Sequence, residues 1–206
     1  MKSKEIRAFN FEVRAEQNDE HGAHLVGQPI VYNERTDLGW YDEIIADGAL
    51  TDTDLRDVRF LINHNTDMIP LARSRNNNAN STMQMQVVPN VGMTIRVDLD
   101  TENNSEARSL YSAVQRGDIS GMSFMFVVDR DRWDDIDSEH PTRTIEKFSK
   151  IFEVSAVTFP AYEATSIQAR GLAEALDSAK ASLDSVKAEQ REIERKKQKI
   201  RILMEV

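Results

Sequence analysis

The sequence contains no cysteine, which removes disulfides, thiolate nucleophiles and cysteine-based zinc sites in one step. It has no apolar run approaching the roughly 18 residues that a membrane-spanning helix needs, and no signal peptide precedes its first predicted strand. It also lacks basic charge. Lys and Arg number 26 against 35 Asp and Glu, giving a formal net charge of −9. Phosphate backbones are bound by basic faces, so nucleic acid is excluded as the main partner. Histidine is scarce too, with 4 in the chain. His21 and His24 lie close together in a loop-to-strand setting but make a weak metal site, and they read as solvated surface histidines. The expectation is a soluble protein of a cytoplasm-like compartment, with no membrane contact, no metal and no cofactor.

What is present is enough apolar material for a core. The hydrophobic share is 40% over 206 residues, which supports one globular body of roughly 150 residues with something appended. Glu5 to Ala15 alternates as a strand with a slip near Phe9-Asn10, and Ala23 to Tyr32 is a second strand interrupted by Gly27 and Pro29, the mark of a bulge or an edge. Trp40 to Ile45 predicts a short strand, Leu50 to Leu55 a short helical piece, and Val58 to Asn65 a β-rich run. Thr82–Val88 and Met93–Leu99 alternate around Pro89-Asn90-Val91-Gly92, the pattern of a hairpin. Asp100 or Thr101 is positioned to cap a helix running to Arg116. Ala107, Leu110, Tyr111 and Val114 form its apolar stripe, and Gly117 stops it.

The stretch that follows organises the chain. Gly117 to Val128 reads as a glycine stop and then a strand, with Met122, Phe124 and Phe126 on one face and Ser123, Met125 and Val127 on the other. Both faces are mostly apolar, which predicts a central strand. Ser123 is a lone hydroxyl among large apolar neighbours, and a buried hydroxyl left unpaired costs about 1–3 kcal/mol. The run Trp133–Thr142 reads as an acidic loop, with His140-Pro141 exposed. Ile151 to Tyr162 is the last strong strand, and it carries Glu153 inside an apolar run, where a carboxylate is rarely buried unless paired. From Leu172 the sequence steps by 4 and 3 through Leu176, Ala179, Leu183, Val186, Gln190, Ile193, Lys197, Ile200 and Met204. That is a heptad seam of a coiled coil or a long docked helix, with Gln190 and Lys197 as polar interruptions.

Three β-rich segments therefore each offer one group suited to acyl transfer: His64, Ser123 and Glu153. A serine hydroxyl is a poor nucleophile until an imidazole accepts its proton, and a third group fixes the imidazole's tautomer. The imidazole must be neutral to act, so activity is expected to rise with pH. On residue types alone this is a weak signal, since any chain of this size contains some Ser, His and Glu.

Three segments make it specific. Leu61-Ile62-Asn63-His64-Asn65, Gly117 to Phe126 and Phe152 to Tyr162 resemble the signature blocks of the tailed-phage prohead (capsid maturation) protease family of the HK97-like type. They fall in the family's order and spacing over roughly residues 5 to 170, and Asp47-Gly48-Ala49-Leu50 resembles a further block. The resemblance implies an α+β fold like that of the herpesvirus assemblins: a small, mostly antiparallel β-barrel with surrounding helices, here followed by a long C-terminal helix. It divides the chain into a protease domain, 1–170, and a heptad helix, 171–206. By resemblance His64 is the base, Ser123 the nucleophile and Glu153 the third member, a place that a second histidine takes in the herpesvirus relatives. Ser120 and Ser155 also lie in the motifs, but the family's nucleophile is the serine just before the aromatic-rich strand. Ala72 replaces a glycine that usually follows Pro-Leu in the family, which would strain the loop if that position needs positive φ. The implied activity is that of a serine endopeptidase inside the phage procapsid in the host cytoplasm. It would cleave the scaffold or the scaffolding segment of the major capsid protein, and itself, as a self-associating protein. An alternative is a catalytically weak or inactive assembly protein of the same fold with a coiled-coil tail. A further one is a small β-barrel binding module.

Overall fold

The structure is a computed structural model, and it describes residues 4–9, 13–18, 22–158 and 166–204, with side chains described throughout these except at 8, 9 and 166–175. Eleven strands and two helices occur among the described residues. Strands β1 (Glu5–Phe9), β4 (Arg35–Asp37), β5 (Asp42–Ile45), β6 (Asp57–Ile62), β7 (Ala72–Arg75), β10 (Gly121–Asp134) and β11 (Thr142–Val157) form a seven-stranded sheet. Strands β2 (Val13–Asn18), β3 (Gly22–Val31), β8 (Met83–Val88) and β9 (Gly92–Asp98) form a four-stranded one, in the order β2-β3-β9-β8. The fold is α+β and mostly sheet. The expected barrel is not closed among the described residues: strand pairing there leaves two separate sheets.

The single strand predicted over Glu5–Ala15 is two strands in different sheets, β1 beside β10 and β2 beside β3. The slip in alternation near Phe9-Asn10 falls between them. The predicted interruption of the second strand is a break in the β3–β9 register between Gly27 and Ile30. The hairpin forms as expected, β8 against β9. Ala72 begins β7 opposite Phe60 and is not among the residues with positive φ, so it strains nothing there. Leu50–Leu55 forms turns rather than a helix. His24 is not a solvated histidine: it is 2% exposed, with Nδ1 3.1 Å from the Gly22 carbonyl and Nε2 3.5 Å from Glu16. His21 lies outside the described residues.

Helix α1 (Ser105–Arg116) is capped by Asn104, not by Asp100 or Thr101. The Asn104 side chain accepts from the Glu106 and Ala107 amides, while Asp100 instead holds Asn103 in the preceding turn. Asn and Asp are comparable caps, so composition alone does not choose between them. Gly117 closes the helix at φ 79°, the left-handed stop its position predicts. The chain then enters β10, which lies between β1 and β11 with Met122, Phe124 and Phe126 fully buried. β10 and β11 are longer than predicted and pair antiparallel almost throughout, from Gly121↔Val157 to Asp134↔Thr142, with bulges that absorb the charged run Asp129–Arg132. Trp133 and Thr142, read as loop, are buried strand residues.

Helix α2 (Ser166–Met204) is a single long helix. Of the two readings of the seam, a coiled coil or a docked helix, the inner half follows the second. Leu176, Ala179, Leu183 and Val186, consecutive seam positions, pack on Tyr41, Trp133 and Ile136 beside Leu38 and Trp40. The seam thus serves a sheet-facing contact. Outward of it Ile193, Ile200 and Met204 are exposed. No helix among the described residues is long and apolar enough to cross a membrane.

Beneath α2 lies a buried charge cluster. The Arg7 guanidinium donates to both oxygens of Glu43, at 2.5 and 2.8 Å, and to Glu5 at 2.8 Å. Arg143 donates to both oxygens of Glu5 (2.7 and 3.0 Å), to Glu43 (3.2 Å) and to Asp131 (2.7 Å). Helix α2 closes the cluster through Ser178 on Glu5 and Ser182 on Asp131. Glu5, Arg7, Glu43 and Arg143 are each 1–2% exposed. Burial alone would raise the Glu5 carboxyl, but hydrogen bonds from Arg143 and the charges of Arg7 and Arg143 outweigh it, and the group is held below the usual glutamate range. A depressed folded value means that Glu5 contributes stability above the unfolded glutamate value of about 4.3 and loses it as pH falls through the folded value. The thermal midpoint is therefore expected to fall as pH is lowered below about 4.3, and less steeply in Glu5→Gln. A pH-stability curve identical in the two proteins would contradict this.

Candidate active site

The site begins where β6 ends. Asn63 and His64 both take left-handed backbone, φ 50° and 56°, and the Asn65 amide donates to the Ile62 carbonyl at 3.0 Å across them. Two successive residues at positive φ are the pattern of a type I′ turn, which Asn favours and His tolerates. The turn is tied to the end of β11. Asn63 donates its own amide to Ala156 O (3.0 Å), and its side chain exchanges bonds with Thr158, donating to Oγ1 at 3.0 Å and accepting from the amide at 2.9 Å. Sequence reasoning missed Asn63 as an anchor. The Asn-His-Asn run after a strand is the signal that could have found it.

This turn lays the His64 side chain, 8% exposed, over Glu153 of β11. Nδ1 lies 2.7 Å from Glu153 Oε1. An ionised carboxylate only accepts, so the shared proton is assigned to Nδ1, and Nε2 is left as the basic nitrogen. Nε2 is buried and has no hydrogen-bond partner among the described residues. Glu153 is itself 2% exposed, and its second oxygen accepts from Ser155 Oγ at 2.5 Å. Ser155 Oγ in turn accepts the His64 backbone N–H at 3.1 Å.

Ser123 sits one strand over. In the β10–β11 ladder it stands opposite Ser155, and Met125 stands opposite Glu153. Directly opposed residues of an antiparallel pair share a face, so Ser123 is on the face that carries Ser155 and Glu153. The arrangement brings His64 and Glu153 into contact and puts Ser123 beside them on the same sheet face. It does not join Ser123 to the imidazole. The Ser123 hydroxyl is fully buried and donates to the Arg7 carbonyl of β1 at 2.7 Å. Arg7 stands opposite Phe124, so its side chain and the charge cluster lie on the other face of the sheet.

His64 also borders a cleft of about 920 Å³ between the 62–68 segment and α1, whose walls include Met68, Ser109, Leu110 and Ile119. Among the described residues the His/Asp/Glu group with metal-ligand spacing is Asp37, Asp42 and His140, with donor atoms within 4.8 Å of one another. Asp42 is already engaged there by Arg35 at 2.6 Å and His140 at 3.1 Å.

A carboxylate–imidazole pair with a free basic nitrogen, on the same sheet face as a serine, has the components of a serine hydrolase. No curated protein and no solved structure matches the chain. The sequence model of the caudovirus prohead serine proteases matches residues 9–179, a span that contains His64, Ser123 and Glu153. By that match over most of its length, the chain belongs to the caudovirus prohead serine protease family.

Proposed function

We propose that the protein is a phage prohead maturation protease that cleaves the scaffold, or the scaffolding segment of the major capsid protein, together with itself, inside the assembling procapsid. The observation that carries this reading is the His64–Glu153 contact of 2.7 Å combined with a buried, unpartnered Nε2. Ser123 is the nucleophile. Rotation about its Cα–Cβ bond takes the hydroxyl off the Arg7 carbonyl and offers its proton to Nε2. Oγ then bonds to the scissile carbonyl carbon as the proton passes to the imidazole, and Glu153 supports the charge that forms there. The imidazolium next returns that proton to the leaving amine, which departs with the C-terminal fragment. Water, deprotonated by the same nitrogen, then bonds to the acyl carbon, and the C–Oγ bond breaks as the imidazolium returns the proton to Ser123 Oγ, freeing the new C-terminal carboxyl group. The cleft beside His64 is assigned to the substrate chain.

The same reading divides the labour along the chain. Residues 1–170 carry the chemistry, and the helix of residues 171–206, through its exposed outer seam at Ile193 and Ile200, contacts the scaffold or another copy. Incubating the protein with its capsid protein and taking a mass spectrum tests the function. Defined N-terminal fragments of the capsid protein, together with clipping of the protease itself, are expected, and neither should occur with Ser123→Ala. Intact capsid protein under procapsid-forming conditions would count against it.

A second reading has one observation in its favour. The Ser123 hydroxyl is bonded to Arg7 and not to His64, as in an assembly protein of this fold that has little or no activity. That reading predicts capsid association with no fragments.

A further inference from the structure

The hydroxyl of Ser155 makes two contacts that converge on the same histidine. It accepts the His64 backbone N–H at 3.1 Å and donates to Glu153 Oε2 at 2.5 Å. We infer that Ser155 is a positioning residue for the His64–Glu153 couple. The inference rests on the proteolytic reading above and adds to it a fourth residue, one that touches neither substrate nor the reacting atoms.

Three features set this hydroxyl apart from a buried serine that merely satisfies itself. First, the residue is fully buried, and its proton goes to a carboxylate, where hydrogen bonds are shorter and roughly twice as strong as neutral ones. Second, it meets a specific need at His64. His64 leaves the strand conformation at φ 56°, and the N–H at this point belongs to no strand ladder, so it needs an acceptor from elsewhere. Ser155 supplies that N–H with its acceptor, while the preceding residue, Asn63, is itself anchored to Ala156 and Thr158. Third, the geometry is repeatable from the backbone alone. Residues 153 and 155 are two apart on β11, so both side chains leave the same face, and β11 pairs parallel with the strand that leads into the turn, Ser155 opposite Leu61. With Oε2 fixed by Ser155, the carboxylate cannot swing, and Oε1 is presented to Nδ1. The ring's orientation, and therefore the direction of Nε2, follows from a carboxylate and a backbone amide that one hydroxyl holds together.

The test uses the full chain with Ser155→Ala and Ser155→Thr, comparing kcat and KM on the capsid substrate and the Nδ1–H proton resonance of His64 by NMR. In Ser155→Ala the protein is expected to fold, kcat to fall about 10- to 100-fold with KM unchanged, as for a misplacement of about 1 Å, and the Nδ1–H resonance to broaden through faster exchange with water. Ser155→Thr restores both, since it keeps the hydroxyl. Should the added methyl not be accommodated, the alanine variant decides through the resonance. A Ser155→Ala protein with the parent's kcat and an unaltered Nδ1–H signal overturns the inference. If the resonance responds as expected while even the parent protein cleaves nothing, the positioning role stands and the proteolytic reading fails.

Discussion

Ser123→Ala and His64→Ala are each expected to abolish cleavage of the capsid substrate and of the protein itself, with losses on the order of 10⁶-fold, the scale seen where such triads are dismantled one member at a time. The two effects should not add, because base and nucleophile act as one unit. Glu153→Gln is expected to leave a trace of activity, lower by roughly 10⁴-fold, since the amide would present the wrong donor–acceptor pattern to Nδ1 and favour the wrong tautomer. None of the three changes should unfold the protein. Ser123→Ala removes one bond to the Arg7 carbonyl, worth about 1 kcal/mol, and opens no large cavity. Quantifying fragments by mass spectrometry beside a thermal melt of each variant separates lost chemistry from lost structure. Full activity in Glu153→Gln would remove Glu153 from the site.

The largest expected effect on stability lies on the other face of the same sheet. Glu43→Ala takes away the carboxylate that Arg7 grips with two bonds and Arg143 with one. For two guanidinium groups, each about 2% exposed or less, the carboxylates then left among the described residues are Glu5, shared by both, and Asp131, bonded to Arg143. Removing one partner from a buried ion network typically costs about 3–5 kcal/mol. For a chain of this length that corresponds to a drop in melting temperature of roughly 6–20 °C. The rings above the cluster should respond as well, because Tyr41 accepts from Arg7 at 3.1 Å and packs 5.4 Å from Trp133. A melt of Glu43→Ala within 2 °C of the parent, by a rough allowance for scatter, would mean that the cluster is not the structural element described here.

These two faces also show what is legible in a sequence and what is not. The serine strand, the helix before it and its Gly117 stop, and the β8–β9 hairpin follow local rules of period and turn chemistry, and the structure has them. The candidate residues were legible as a set because the three blocks carrying them match a family's order. The charge cluster was not legible. In the alternation of the first strand, Arg7 reads as a polar residue turned outward, yet it is one of the most buried side chains. Its partner Glu43 is 36 positions away, and the carboxylate it shares with Arg143 joins residues 138 apart. No local pattern encodes a compensation at that range. The same holds for Asn63 and Ser155, whose roles exist only once β6 and β11 lie side by side. The heptad seam was legible as a seam, but its periodicity says nothing about whether another helix or a sheet covers it. Ala179 and Leu183 meet Tyr41 and Trp133.

In the proposed mechanism Ser123 becomes a nucleophile through His64, although its hydroxyl rests on the Arg7 carbonyl in this structure. The most direct measurement is covalent labelling of the full-length protein with a serine-directed fluorophosphonate, followed by peptide mapping. A single adduct is expected on Ser123, absent in His64→Ala and strongly reduced in Glu153→Gln. A label on Ser120 or Ser155, or equal labelling of Ser123 with and without His64, would contradict it.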